Sequence, residues 1–313
     1  MSKKIAFVFP GQGSQSVGML AELAGSYPCI NETFTEASTA LGFDLWDLVK
    51  NGPEEKLNQT TNAQPALLAA GYAVWRVWQE ASGTMPSFLA GHSLGEYTAL
   101  VCAKALDFSS AIKLVAERGR LMQEAVPEGK GAMVAVVGLD NDKIIEICKE
   151  ASHGQILTPA NYNSIGQTVL AGEKEAALRA VELAEKAGAK LVKLLAVSVP
   201  SHCSLMLPAG EKLVELLAKL EVRSPKIPVL QNADVLFYAE PEKIKDALVR
   251  QLSHPVRWVE IVQYFAKEGV EAILECGPGK VLTGLNKRIA PNITTMFLGT
   301  SGNLQQNVVN YKL

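Results

Sequence analysis

The chain has 313 residues, of which 48% are hydrophobic and 20% are charged, so its composition predicts folded domains rather than disorder. Thirty basic side chains nearly balance thirty-two acidic ones, and the net charge of −2 argues against a nucleic-acid site built on bulk basicity. No apolar run approaches the roughly 18 residues of a membrane span, and the N-terminus does not have the pattern of a secretory signal. The five scattered cysteines fit neither a disulfide framework nor a zinc site. We therefore expect a cytoplasmic protein of about two domains.

The first part of the chain alternates strands with helices. A continuous apolar strand is predicted at residues 4–9, and it runs into a glycine-rich turn at 10–16. A helix is predicted at 63–80, a short strand at 87–90 and a second apolar helix at 96–105. Strands that alternate with helices in this way predict an α/β fold with a mainly parallel sheet.

The middle of the chain has a different order of elements. In chain order, the prediction is a strand at 132–138, a helix at 142–151, strands at 156–162 and 167–171, a helix at 174–187 and a strand at 190–199. This β-α-β-β-α-β order is typical of a ferredoxin-like unit. We therefore predict an inserted subdomain at 127–198, and a discontinuous α/β core made of 1–126 and 199–313.

The α/β core is predicted to continue after the inserted subdomain. The predicted elements are a helix at 209–220, a strand at 227–232, a helix at 259–267 and a strand at 272–275. The last of these strands leads into Gly277-Pro278-Gly279 and a further helix.

The pentapeptide Gly91-His92-Ser93-Leu94-Gly95 follows the second predicted strand and precedes an apolar helix. This G-x-S-x-G pattern is that of a nucleophile elbow, in which a sharp strand-to-helix turn exposes the serine hydroxyl. The N–H of Leu94 would then lie at a helix N-terminus, where it could donate to an oxyanion. The alternative is an ordinary turn with an inert serine.

A serine nucleophile needs a base, and the chain has four histidines. His202 is the favoured candidate because it lies where the chain leaves the inserted subdomain, beside the expected cleft. His254, on a loop before a proline, is the second possibility. His92 is expected to pack beneath the turn, and His153 to lie on the surface. The alternative for His202 is a loop residue that caps the following helix.

The glycine-rich turn at 10–16 begins where the first strand ends, at the edge where ligands bind in parallel sheets. A dinucleotide fingerprint would need a glycine at position 16, which is Ser16, so we disfavour nucleotide binding. The main-chain N–H of Gln12 is the candidate for a second oxyanion donor to the Ser93 site.

Arg118 lies on the apolar stripe of a predicted amphipathic helix, three residues after Val115 and four before Met122. A guanidinium on the inward face is unfavourable unless it meets an anion. We predict that Arg118 binds a substrate carboxylate with both arms of its fork. The alternative is a structural salt bridge to an internal carboxylate.

Over nearly its whole length the sequence resembles the malonyl-CoA:acyl carrier protein transacylases of bacterial fatty acid synthesis. The segments that carry the resemblance are residues 9–15, 61–67, 91–97, 118–119, 122–125, 131–133, 163–164, 197–202, 251–252, 255–258 and 275–279. No catalytic position departs from the family pattern. The resemblance implies a hydrolase-like core with a ferredoxin-like subdomain, in agreement with the predicted elements.

The resemblance also implies a role for individual residues. Ser93 would be the nucleophile, His202 the base and Arg118 the ligand of the malonyl carboxylate. The backbone N–H groups of Gln12 and Leu94 would form the oxyanion hole. The remaining positions that match the family's active site are Gln64, Asn163 and Gln251. The main-chain carbonyl of Gln251 would orient His202 in place of a carboxylate.

The implied reaction is a ping-pong transfer of malonyl from malonyl-CoA, through a Ser93 ester, to the phosphopantetheine thiol of acyl carrier protein. Such a reaction needs no metal or redox cofactor. The expected partners are malonyl-CoA and acyl carrier protein, with no nucleic acid and no membrane, and the expected state is a monomer. The main alternative is a serine esterase or thioesterase, and a non-enzymatic scaffold for the carrier protein is disfavoured.

Overall fold

A computed structural model describes residues 3–82, 85–195 and 199–311 of the chain. The strands of these residues are β1 (Ile5–Phe9), β2 (Phe88–Gly91), β3 (Gly131–Val137), β4 (Leu157–Ser164), β5 (Gln167–Glu173), β6 (Leu191–Leu194), β7 (Val229–Leu230), β8 (Ala272–Glu275) and β9 (Thr294–Phe297).

The helices are α1 (Ala21–Ser26), α2 (Pro28–Leu41), α3 (Leu45–Asn51), α4 (Glu54–Asn58), α5 (Thr60–Ser82), α6 (Gly95–Cys102), α7 (Phe108–Ala125), α8 (Asn141–Ser152), α9 (Lys174–Lys186), α10 (Leu207–Ala218), α11 (Pro241–Ser253), α12 (Trp258–Lys267), α13 (Val281–Ile289) and α14 (Ser301–Asn310). A short 3₁₀ turn, Ser204–Met206, precedes α10. Within the described residues, none of these helices has the length and apolar composition needed to cross a membrane.

The larger sheet is parallel, with strand order β7-β2-β1-β8-β9. Every residue of β1, β2 and β8 is buried, since helices cover both faces of the sheet. Because the strands are parallel, the loops that follow β1, β2, β7 and β8 all meet at one edge. The prediction of an α/β fold with a mainly parallel sheet is confirmed.

The smaller sheet is antiparallel, with strand order β4-β5-β3-β6. Helices α8 and α9 bury their apolar faces against one side of it. On the other side, Met133 and Val169 face a cleft shared with the larger sheet. The ferredoxin-like order of elements is confirmed. The subdomain boundaries at 127 and 198 stay predictions, and residues 196–198 lie outside the described part of the chain.

Three predicted elements are shorter in the structure. Within the described residues, the strand predicted at 190–199 is observed as β6, and the part of that prediction at 196–198 lies outside them. The strand at 227–232 is observed only as β7, and the helix at 96–105 ends at Cys102. The chain leaves the sheet after β7 because Asn232 turns toward the loop that follows β2, where its side chain bonds. The sequence patterns also did not predict helices α1 to α4, helix α11, strand β9 or helix α14.

Candidate active site

Ser93 lies on a sharp turn between β2 and α6. Its φ of 51° is one that residues other than glycine seldom adopt. The flanking glycines are required by the close approach of the backbone. A Cβ on Gly91 would overlap the carbonyl of Gly95, and a Cβ on Gly95 would overlap the carbonyl of Phe9. The G-x-S-x-G spacing therefore folds as the predicted elbow.

His202 is the histidine that the fold brings to this serine. Its Nε2 lies 2.8 Å from the Ser93 Oγ, and its Nδ1 lies 2.8 Å from the main-chain oxygen of Gln251. A carbonyl oxygen can only accept, so Nδ1 carries the proton and Nε2 is free to accept the serine O–H. Among the described residues no carboxylate bonds to His202.

The His202 ring is almost completely buried, with 2% of its surface exposed. Burial, followed by the positive charge of Arg118, lowers the pKa of His202 to about 3. The imidazole is therefore neutral at neutral pH, which is the form that can accept a proton.

The other three histidines do not reach the Ser93 hydroxyl. His153 and His254 are exposed, and the Nδ1 of His254 bonds to the main-chain oxygen of Arg250, in the last turn of α11. The expectation that His92 packs beneath the turn is wrong. Its ring lines the cleft, and its Nε2 lies 2.8 Å from the Oδ1 of Asn163, on β4. This bond links the elbow to the inserted subdomain, and it places the family position Asn163 in the cleft wall.

The two predicted oxyanion donors, Gln12 and Leu94, both border the cleft beside Ser93. Among the described residues, neither backbone N–H donates to a protein acceptor. The N–H of Ser93 itself is occupied, because it donates to the Oδ1 of Asn232 at 2.7 Å. Leu94 and Gln12 therefore remain the available donors for an oxyanion at this edge of the sheet.

Arg118 is buried on α7, with 1% of its surface exposed. Its Nη1 donates to the Oε1 of Gln64 and its Nη2 to the Oε1 of Gln251, each at 2.9 Å. Its guanidinium also lies over the Tyr97 ring, 5.2 Å from the ring centre. Within the described residues, no carboxylate forms an ion pair with Arg118, and its Nε has no partner. The described residues therefore provide no carboxylate for the alternative, a structural salt bridge at Arg118.

Gly119 explains how Gln64 reaches Arg118. A Cβ at Gly119 would lie 2.7 Å from the main-chain oxygen of Thr60, at the start of α5. The absent side chain lets α5 and α7 pack closely at this point, one turn of α5 before Gln64. The family position Gln64 thereby becomes a neutral acceptor for the buried guanidinium.

Gln251 does more than the resemblance implied. Besides its carbonyl bond to His202, its side-chain Oε1 accepts from Arg118 and its Nε2 donates to the carbonyl of Ser93 at 2.9 Å. The side chain lies within α11 and is 1% exposed. One residue thus contacts the nucleophile, the base and the arginine.

The serine, His202, Arg118 and the candidate N–H donors line one cleft, with a volume of about 190 Å³. Its walls come from the loops at the edge of the larger sheet, from the open face of the smaller sheet and from the first turns of α13. Glu275 fixes α13, because its carboxylate accepts the N–H groups of Leu282 and Thr283. The cleft therefore combines a serine–histidine pair, free N–H donors and a buried cation without a counterion.

A comparison with protein families matches residues 6–293 to the acyl transferase domain. The chain is 56% identical to the malonyl CoA-acyl carrier protein transacylase of Escherichia coli strain K12 over 295 residues, which are 94% of this chain and 96% of the relative. The chain belongs to this acyltransferase family.

Solved structures of family members have the same fold. An acyl carrier protein S-malonyltransferase from Vibrio cholerae superimposes with a TM-score of 0.95 at 55% identity, covering 97% of this chain and all of the other. A malonyl-transacylase in complex with a type II polyketide synthase acyl-carrier protein superimposes with a TM-score of 0.97 at 55% identity, covering 98% and 100%. The predicted family resemblance is confirmed.

Two site residues of this acyltransferase escaped the sequence analysis. Asn232 was predicted only as the end of a strand, and Glu96 only as part of the motif after the elbow. Asn232 bonds to both sides of the elbow, and Glu96 accepts the main-chain N–H of Asn232 at 2.7 Å. The available signal was position, since a polar residue at the carboxyl end of a parallel strand lies at the ligand edge.

Proposed function

We propose that this enzyme transfers a malonyl group from malonyl-CoA to the phosphopantetheine thiol of acyl carrier protein, through an ester on Ser93. The observation that carries the proposal is the arrangement at Gln251. Its side-chain amide bonds to the carbonyl of Ser93 and also to Arg118. The guanidinium of Arg118, which has no carboxylate partner among the described residues, is therefore linked to the nucleophile residue through this one amide group. A short acyl group with a terminal carboxylate would bond to Ser93 through its carbonyl carbon and to Arg118 through its carboxylate.

In the first half-reaction His202 Nε2 takes the proton of the Ser93 hydroxyl as its oxygen attacks the thioester carbonyl. The backbone N–H groups of Leu94 and Gln12 would donate to the oxyanion that forms. When the C–S bond breaks, His202 returns the proton to the sulfur, and coenzyme A leaves as the thiol. The malonyl group remains on Ser93 as an oxygen ester.

The malonyl carboxylate would have a second effect besides binding. After burial, the positive charge of Arg118 is the next cause of the low pKa of His202. A carboxylate bound to the guanidinium offsets that charge, so the pKa of His202 rises when a malonyl group is in place. Carboxylate recognition by Arg118 therefore also makes His202 a better base.

In the second half-reaction the thiol of acyl carrier protein would enter the cleft and lose its proton to His202. The thiolate sulfur attacks the ester carbonyl, the C–O bond breaks, and Ser93 recovers its proton from His202. Transfer has to outcompete hydrolysis, so a narrow cleft that limits the entry of water matters as much as the dyad. The cytoplasm stays the proposed location and a monomer the predicted state.

Intact-protein mass spectrometry after brief exposure to malonyl-CoA tests the proposal. We expect one added malonyl group, mapped to Ser93, and its absence in Ser93→Ala because alanine has no nucleophile. Ser152→Ala is a matched control, since that serine bonds within α8 and is remote from the cleft. An adduct of full strength in Ser93→Ala would refute the assignment.

Coenzyme A release distinguishes transfer from the alternative thioesterase. With malonyl-CoA and no acceptor, we expect a single burst of free thiol equal to the enzyme present. Added acyl carrier protein should then restore turnover and become malonylated. Sustained release at a similar rate without the carrier protein would establish a hydrolase.

A further inference from the structure

Asn232 follows β7 and is completely buried, and its side-chain amide bonds to the nucleophile elbow. Its Oδ1 accepts the N–H of Ser93 at 2.7 Å, and its Nδ2 donates to the carbonyl of Gly91 at 2.6 Å. Its own N–H donates to the Oε2 of Glu96 at 2.7 Å, and its carbonyl accepts the N–H of Arg257. The side-chain amide therefore spans the turn from one side of His92 to the other.

We propose that Asn232 is a positioning residue for the Ser93 nucleophile, holding the elbow by a two-point bond that strand pairing cannot supply. The inference rests on the proposed function, because it concerns the serine that would carry the acyl group. It assigns to Asn232 no contact with the substrate.

The backbone geometry explains why such a clamp is needed. The ladder between β2 and β7 ends at Ala90 and Leu230, so the turn beyond it has no strand partner on the β7 side. On the other side, Phe9 of β1 pairs with Gly91 and accepts the N–H of His92. Ser93 there holds a φ of 51°, which persists only where the surroundings fix it. The amide of Asn232 takes the place of a neighbouring strand, with an acceptor for the N–H of Ser93 and a donor for the carbonyl of Gly91.

Glu96 in turn holds Asn232. Its carboxyl is completely buried on the first turn of α6, three residues after Ser93, and accepts the N–H of Asn232. The elbow, the end of β7 and the start of α6 are thus joined in a closed set of bonds. A shift of Asn232 would move Ser93 relative to His202, whose Nε2 must stay within hydrogen-bond distance of the hydroxyl.

The experiment measures the rate of malonyl transfer to Ser93 by rapid quench and intact mass, together with the dissociation constant for malonyl-CoA. Asn232→Ala removes both side-chain bonds, and we expect the rate at saturation to fall about 100-fold, since small misplacement of a reacting group has effects of this size. The dissociation constant should stay within about threefold, because Arg118 and its two glutamines are untouched.

Asn232→Asp separates the two bonds. It keeps the acceptor for the N–H of Ser93, but an ionised carboxylate cannot donate to the carbonyl of Gly91. Protonation restores a donor, so the rate of Asn232→Asp relative to the natural protein should rise as the pH is lowered. A purely structural defect would lower the melting temperature without giving this pH-dependent recovery.

Asn307→Ala is the matched control, because Asn307 is also a buried asparagine, in α14, and bonds within its own helix. We expect it to change the melting temperature but not the rate per folded molecule. Acylation of Asn232→Ala within threefold of the natural rate, or an equal loss in both alanine variants, would overturn the inference. If the unsubstituted protein acquired no malonyl group on Ser93, that result would instead refute the proposed function.

Discussion

The two ends of the cleft are built in different ways. At the reaction end, which comprises Ser93, Leu94, Gln12 and His202, position is set largely by the main chain: a positive φ, glycines without side chains, backbone N–H donors and a backbone carbonyl behind the base. The side-chain amide of Asn232 adds two bonds to the turn that holds Ser93. At the carboxylate end, which comprises Arg118, Gln64 and Gln251, position is set by side-chain amides.

This difference has an electrostatic consequence. Amide oxygens orient the guanidinium of Arg118 without neutralising it, so its charge stays available for a substrate carboxylate. A buried carboxylate in the place of either glutamine would have satisfied the arginine before any substrate arrived. The reaction end, by contrast, has no net charge, since His202 is neutral. Chemistry and selection are therefore separable by mutation, except at Gln251, which contacts both ends.

The largest effect is expected from damage to the reaction end. His202→Ala should lower acylation by malonyl-CoA and by acetyl-CoA alike, by about 10²- to 10⁴-fold, because the base is needed whatever the acyl group. His153→Ala, at an exposed helix end, is the control and should act like the natural protein. If His202→Ala lost malonyl loading but kept acetyl loading, His202 would act in carboxylate recognition and not as the base.

Damage to the carboxylate end should depend on the acyl group. Arg118→Ala should lower malonyl loading about 30- to several-thousand-fold, the equivalent of about 2–5 kcal/mol for losing one partner of a buried charge pair. Acetyl loading should persist or improve, because removing the cation also raises the pKa of His202. Adduct mass with each thioester measures the ratio, and Arg118→Lys should rescue poorly because a point charge lacks the fork.

Arg120→Ala is the control on the same helix, since Arg120 is exposed and pairs with Glu117 and Glu124. It should leave both loading rates unchanged. Equal loss of malonyl and acetyl loading in Arg118→Ala, with a lower melting temperature, would make Arg118 a structural residue instead.

Gln251 tests the boundary between the two ends. The resemblance alone, in which only the main-chain carbonyl acts, predicts that Gln251→Ala retains much of its activity. The side-chain bonds revise this expectation, and we expect about a 10- to 100-fold loss of malonyl loading and a smaller loss of acetyl loading. Gln251→Glu should lower malonyl loading more than acetyl loading, since its carboxylate would pair with Arg118 and compete with the malonyl carboxylate. Natural rates in both variants would show that the carbonyl is sufficient.

The smallest effect is expected from pH. Burial raises the pKa of Glu96 from its ordinary 4.5 to about 8, so this carboxyl is neutral at pH 7 and ionises as the pH passes 8. A negative charge near Arg118 should then raise the KM for malonyl-CoA a few-fold. Glu96→Gln cannot ionise, and its KM should stay flat over this range. A rise of equal size in Glu96→Gln would assign the effect to another group.

The same carboxyl has a predictable effect on stability. Its pKa is higher in the folded chain, so the folded state is favoured most below pH 4.5, and that advantage is lost as the pH rises toward 8. We measure the free energy of unfolding of both proteins with denaturant. Between pH 5 and pH 8 the value for the natural protein should fall relative to the value for Glu96→Gln. A constant difference over that range would contradict the buried, neutral carboxyl.

How far the sequence predicted the site depended on the range of the interaction. The elbow and the inward face of Arg118 were predictable, because strand, turn and helix periodicity act over a few residues. The position of the His92 ring in the cleft was not predictable, since it depends on Asn163 in the inserted subdomain. The side-chain role of Gln251 was also hidden, because its partners lie 133 and 158 residues away.

By itself the sequence determined the alternation of strands and helices, the β-α-β-β-α-β insertion and the glycine spacing that forces Ser93 into its turn. Each follows from local sterics or from a short hydrophobic period. Only the tertiary structure decided which polar groups meet. Asn232 reaches Ser93 across 139 residues because β7 lies beside β2 in the sheet, and strand order is not written in any local pattern. A buried polar group bonds whatever acceptor or donor the fold brings near it, since leaving it unpaired away from water is unfavourable.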